Sequence, residues 1–175
     1  MKRKINHYLI IDGYNIINAW DGLKQIAQND LDGAREKLID TIIDYAEFSG
    51  QKAIIVFDAY NVKNSLEKVE NRKYITVVYT KEHQTADSYI EKFITSLSKY
   101  DVVKVATNDY AEQQIVLGKG ASRISSRELK MDLEEAKNKI RKKQSNTGGK
   151  IQRNWLEDRL DKETLSKLEN IRRNR

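Results

Sequence analysis

Tyr8-Leu9-Ile10-Ile11, running straight into Asp12-Gly13-Tyr14-Asn15, is the stretch on which the reading of this chain turns. Four apolar residues without a polar break suit a strand buried on both faces, as in a parallel sheet. Ala53–Phe57, Tyr74–Tyr79 and Val102–Ala106 share that near-continuous apolarity. Between them the apolar residues recur at helical spacing. Asp32 to Phe48 sets Leu38, Ile42 and Tyr45 on one face and closes at Gly50, a C-terminal stop. Thr85 to Leu97 opens on a capping residue and aligns Ile90, Phe93, Ile94 and Leu97. A shorter helix is expected from Asp109 to Leu117, then a brief strand at Arg123–Ser125 and a long charged helix from about Ser126 to Lys143. Asp58 to Lys73 reads mostly as loop. Strands alternating with helices predict right-handed βαβ crossovers, hence an α/β fold with an open parallel sheet and helices on both faces.

The 175 residues suit one domain with an appendage. Ser145-Asn146-Thr147-Gly148-Gly149 reads as a linker, dividing a body at 1–144 from a tail at 145–175. The tail is expected to form an amphipathic helix over Gln152 to Arg173, carrying Trp155, Leu156, Leu160, Leu165 and Leu168. With no Cys, the chain has neither disulfides nor thiolate metal sites. Its apolar runs are strand-sized, far short of the roughly 20 residues a membrane helix needs, so no membrane partner is expected. The basic start Met1-Lys2-Arg3-Lys4 lacks the apolar stretch of a signal peptide, so a cytoplasmic protein is expected. Charge is unevenly spread: Lys137 to Arg175 holds 13 Lys or Arg against 5 Asp or Glu, a net of +8. The rest, with 19 basic and 21 acidic residues, carries −2. A basic arm attracts phosphate backbones without regard to sequence; a solvated helical tail would have the same composition.

Ligands of open α/β sheets gather beyond the carboxyl ends of the strands, and acidic residues recur there. Asp12 ends the first strand and Asp58 the second. Asp87 opens the helix after the third strand, and Asp109 follows the fourth within Ala106-Thr107-Asn108-Asp109. Four carboxylates converging on one edge repel each other unless a positive charge sits among them. Mg²⁺ or Mn²⁺ answers that need, since hard cations take oxygen ligands and keep water. Each residue also has a structural reading: Asp87 and Asp109 as helix caps, Asp58 as a turn residue. Asp12 resists that reading best. Gly13 is expected to allow a tight turn, and Asn15 to hydrogen-bond Asp12 or a ligand.

Other chemistries find less support. There is no GxGxxG loop and no Walker-type Gly-Lys-Ser/Thr. His7 and His83 are isolated, without zinc-site spacing, and the Ser residues near Arg123 have no recognisable His partner. Tyr14 and Trp20 beside the site can either stack on bases or pack in the core.

Taken together, Ile10-Ile11-Asp12-Gly13-Tyr14-Asn15, Val56-Phe57-Asp58-Ala59, Thr80-Lys81-Glu82 with Thr85-Ala86-Asp87, and Ala106-Thr107-Asn108-Asp109-Tyr110 resemble the YacP-like branch of the NYN nucleases, relatives of PIN-domain and FLAP nucleases. The resemblance continues through Gly118-Lys119-Gly120-Ala121 and Ser126-Arg127-Glu128-Leu129, covering roughly the first 135 residues in order. It implies a three-layer, Rossmann-like PIN fold and Mg²⁺- or Mn²⁺-assisted RNA cleavage. The type it points to is the ribosome-associated endoribonuclease that cuts messenger RNA in the ribosomal A site, so mRNA and the ribosome with its rRNA are the implied partners. The family's catalytic aspartates map onto Asp12 and Asp87, with Asp58 and Asp109 at matching acidic positions. In the mechanism so implied, one or two ions held by Asp12, Asp87 and Asp109 activate water for in-line attack and leave a 5′-phosphate. Asn15 and Thr107 would orient ligands from outside, while Lys119, Arg123, Arg127, Lys142 and Lys143 would grip RNA phosphates, with ordinary surface charge as the other reading of Lys119, Arg123 and Arg127.

Two rival classes stand beside this. A non-catalytic RNA- or ribosome-binding module would keep the basic arm and need no carboxylates. A phosphotransfer protein would want a second Asp two residues after the first, where Tyr14 stands, or a receiver's acidic pair and Lys, neither of which is evident.

Overall fold

The computed structural model describes residues 5–59, 66–109, 118 and 120–157, with side chains as far as residue 142. The apolar runs become strands β1 (His7–Asp12), β2 (Lys52–Phe57), β4 (Ile75–Tyr79) and β5 (Val102–Ala106); β3 (Lys68–Arg72) and β6 (Ser122–Ile124) complete the sheet. Its order is β3-β4-β2-β1-β5-β6. All neighbours pair in parallel except β3 and β4, which are antiparallel, so the sheet is mixed rather than wholly parallel.

Alternation along β1 explains its unbroken apolarity. Leu9 and Ile11 pack on one face, beneath α1 (Gly13–Ala19), α2 (Asp21–Asn29) and α3 (Leu31–Ser49). Ile16, Ile17, Leu38, Ile39 and Ile42 supply the partners there, joined by Leu129 and Leu133 from α5 (Ser126–Glu157). Ile10 turns to the other face, where Ile90 and Ile94 of α4 (Ala86–Ser96) meet it together with Ile54 and Val105. Both faces are thus covered, giving the three-layer α/β arrangement expected from the sequence. Local signals act as read: Thr85 caps α4 through Ser88 N–H, and Gly50 ends α3 at φ +69°.

Four elements differ from expectation. Helix α1 begins directly after the strand, with Asp12 as both strand end and N-cap, and α2 begins after Trp20, which makes no side-chain cap, so neither start stands apart from its neighbour in sequence. Strand β3, Lys-Val-Glu-Asn-Arg, lies where loop was expected, because an edge strand needs no apolar run. Helix α5 continues through Ser145–Gly149. That segment holds no Pro, its flanks (Lys142 to Gln144, Lys150 to Gln152) are mostly good helix formers, and each Gly costs only about 1 kcal/mol.

By compactness the chain divides into Met1–Ala136 and Lys137–Arg175. The expected helix Asp109–Leu117 lies, after Asp109, outside the described residues; of the terminal helix expected over Gln152 to Arg173, the part to Glu157 is the end of α5 and the rest lies outside them. Among the described residues no helix is long and apolar enough to cross a membrane.

Candidate active site

β1 occupies the middle of the sheet, with β2 on one side and β5 on the other, so chain direction across the sheet reverses at its carboxyl end. That is where α/β sheets open a crevice. Asp12 is both the last residue of β1 and the N-cap of α1, accepting from Asn15 N–H at 3.1 Å. Gly13 is required for a reason other than a turn with positive φ. A Cβ there would fall 2.3 Å from the Phe57 ring, which is wholly buried.

Hydrogen bonds brace the neighbouring strand ends. Thr80, fully buried after β4, accepts from Ala59 N–H at 3.0 Å and so holds the segment carrying Asp58. Thr107, also fully buried, accepts from Asp109 N–H at 3.0 Å. Asn15 Oδ1 takes Asn108 N–H at 2.9 Å, and Asn108 clasps Ser126 through both its amide and its carbonyl. The Trp20 indole N–H donates to Ser126 O at 2.9 Å, so this ring is structural. A cleft of about 610 Å³ opens here, lined by Asp12, Asp58 and Asp87 with Tyr14, Asn15 and Arg35 among others.

Electrostatics mark Asp12 out. Burial pushes its carboxyl up to about 6; the Asn15 N–H opposes the rise, and the charges of Asp87, Asp58 and Asp109 add to it. Asp87 is also raised, first by burial and then by Asp109 and Asp58. The four carboxylates therefore share one field, although Asp109 does not line the cleft. Among the described residues, however, no three His, Cys, Asp or Glu are grouped closely enough to hold a metal ion.

The remaining expected residues are scattered. Arg123 is exposed on edge strand β6, its Nε donating to Thr107 O at 3.3 Å. Arg127 is exposed on the first turn of α5, and Lys142 is exposed further along it. Lys119 and the side chain of Lys143 lie outside the described residues. His7 opens β1 at the end remote from Asp12, and His83 is exposed beside Glu82. Sequence reasoning missed Arg35, Thr80, Asn108 and Ser126. For Arg35 a signal existed: it precedes Leu38, Ile39 and Ile42 at helical spacing, on the face of α3 that packs inward.

The family model of the YacP-like NYN domain matches residues 9–173. The chain belongs to this family. A YacP-like NYN relative, the uncharacterized protein YacP of Bacillus subtilis (strain 168), is 40% identical over 136 residues, 77% of this chain and 79% of that one. The crystal structure of Rae1 (YacP) from Bacillus subtilis is similar at a TM-score of 0.72 and 35% identity, covering 98% of this chain and 95% of that one. A crystal structure of a tryptophan-to-leucine mutant of the same protein gives 0.66 and 37%, covering 77% and 79%. A YacP-like NYN domain is of nuclease type, and NYN and PIN-like nucleases commonly use divalent metals.

Proposed function

We propose that this YacP-like NYN protein is a divalent-metal-dependent endoribonuclease that cleaves messenger RNA, with the ribosomal A site as its place of action. The observation that carries the reading is Asp12: a partly buried carboxylate, raised to about 6, in the field of three others beside a cleft. The donors fit a hard cation. All are carboxylates in one field, and Asp12, Asp58 and Asp87 line one cleft, oxygen donors of the kind Mg²⁺ or Mn²⁺ takes while keeping water and substrate phosphate in the rest of its shell. Asp12 and Asp87 would hold it, with Asp58 and Asp109 adding negative field. Once bound, the ion supplies positive charge against the phosphodiester and acidity to water.

The chain's own residues do the rest. Asn15 N–H occupies one Asp12 oxygen and fixes the carboxylate's orientation. Thr107 and Thr80 hold the backbone beside Asp109 and Asp58. The basic stretch Lys137 to Arg175, with its net of +8, supports association with RNA phosphates, and the ribosomal setting rests on this charge and on the family resemblance.

The spread of the carboxylates favours one second reading, a binding module without catalysis. The two part on messenger RNA engaged by translating ribosomes, mapped for new 5′ ends with wild type and Asp12→Asn. Cleavage by wild type alone is expected. Ribosome-bound wild type that leaves the message intact would establish the binding module. Mg²⁺ should also raise the Tm of wild type at pH 8 and leave that of Asp12→Asn nearly unmoved.

A further inference from the structure

Among the described residues, the cleft contains one cation that the carboxylate chemistry leaves unused. Arg35 of α3 lines it together with Asp12, Asp58 and Asp87. Its guanidinium lies 5.7 Å from the centre of the Tyr14 ring and 6.0 Å from that of Tyr79. Those rings are themselves fixed against buried Phe57, at 5.3 and 5.5 Å between centres. Two aromatic rings therefore hold the fork in place, as guanidinium planes favour.

Hydrogen bonding within the protein uses little of that fork. The side chain is 23% exposed, and Nε is buried with no hydrogen bond from the protein. Nη1 pairs with Asp32 one turn earlier, a carboxylate 84% exposed to solvent. An ion pair with so exposed a partner is weak and easily exchanged. A rigid, half-satisfied guanidinium beside a carboxylate group has a natural complement, an anion that presents two oxygens and also tolerates a cation on its other side. A phosphodiester has that chemistry.

We propose that Arg35 is a substrate-positioning residue that grips a phosphodiester of single-stranded RNA in this cleft. The idea rests on the nuclease reading above and deepens it, placing the scissile region of the chain between Arg35 and the Asp12 carboxylate. Asp32 acts as the stand-in that the phosphate displaces.

The test measures binding of a fluorescein-labelled single-stranded RNA to full-length Asp12→Asn protein, so that it needs no cleavage. Adding Arg35→Gln should raise Kd about tenfold, as loss of a hydrogen bond to a charged group does, and Arg35→Lys should fall between. Asp32→Asn, which alters only an exposed carboxylate, should tighten binding about two- to threefold, and that gain should vanish in the Arg35→Gln background. In the otherwise wild-type enzyme Arg35→Gln should raise KM about tenfold and hold kcat within about threefold, the pattern of ground-state binding. Unchanged Kd in a folded Arg35→Gln protein would overturn the assignment. So would an Asp32→Asn gain of equal size with and without Arg35. If Arg35→Gln fails to fold, Arg35→Lys and Asp32→Asn decide the matter, and wild-type affinity in both overturns it. Failure of the nuclease reading is recognised separately, by wild type that binds the RNA in an Arg35-dependent way and never cuts messenger RNA.

Discussion

Two charged clusters sit on the same sheet and are built on opposite terms. At the β3 edge, Arg72 meets Glu36 of α3 at 2.6 Å and Glu70 at 2.9 Å, and Lys68 reaches Glu70 at 2.7 Å. Here each charge has an opposite neighbour. Glu36 is held below its ordinary range by Arg72, and Glu70 by Lys68 and then Arg72. At the carboxyl end of β1 the sign reverses: burial and like charges drive Asp12 upward. The edge cluster serves the fold, while the central one costs the fold stability that a bound cation would restore. Such a trade is expected where a site is built for function rather than for stability.

The largest effect that sharpens this contrast is catalytic. Asp12→Asn and Asp87→Asn should each lower cleavage of ribosome-engaged messenger RNA by about 10³-fold, in the range seen when one electrostatic contributor leaves an active site. Glu36→Gln and Arg72→Gln should cleave as wild type does. Loss of cleavage in the edge variants at unchanged Tm would break the comparison.

Stability should move the other way. Folded Asp12 keeps its proton up to about 6, against 3.8 when unfolded, so folding binds the proton. Its penalty is absent below pH 3.8, grows as pH rises to about 6, and is complete above that. Asp12→Asn keeps a capping oxygen and removes the charge. Urea unfolding at pH 8 should therefore find it more stable than wild type by on the order of 2–3 kcal/mol. The advantage should shrink towards zero as pH falls to 4. Equal stability at both pH values would mean that the carboxylate is compensated after all.

The smallest effect belongs to the edge. Arg72→Gln should lose about 1 kcal/mol or less at pH 8, since solvent screens its pairs. Glu36 and Glu70 have lowered values, so the contribution they make is present above 4.5 and lost as pH falls through the lowered range. Wild type and Arg72→Gln should converge in strong acid.

The same contrast explains what could be read from the chain beforehand. β1, β2, β4 and β5 announce themselves because burial on both faces demands continuous apolar residues. Asp12, Asp58 and Asp87 follow, since a carboxylate at a buried strand end stands out against Leu9-Ile10-Ile11 or Val56-Phe57. β3 does not stand out because its own side chains are mostly charged or polar, Arg72 pairing with its strand-mate Glu70 and with Glu36 on a helix, and a mixed-charge pentapeptide looks like loop. Arg35 was hidden differently. An arginine on a long amphipathic helix reads as surface; its helical spacing with Leu38, Ile39 and Ile42 sets it on the inward face, and the tertiary meeting with Tyr14 and Tyr79 makes that face part of a site. Gly13 reads as a turn residue, but its cause lies in the ring of Phe57, far along the chain and invisible to local turn chemistry.

The parallel pairing of β1 with β5 has a further consequence for synthesis. His7 aligns with Val102, and Asn6 bonds Asp101 across 95 residues. Pairings so distant in sequence form late and slowly. A growing chain can lay β2 against β1 and β4 against β2, yet Asp109 and the Asn15–Asn108 brace arrive only with the segment after β5. The carboxylate field is thus complete only once more than half the chain has left the ribosome. Fold topology by itself keeps the acidic centre unfinished while the protein's own message is still being translated through that half.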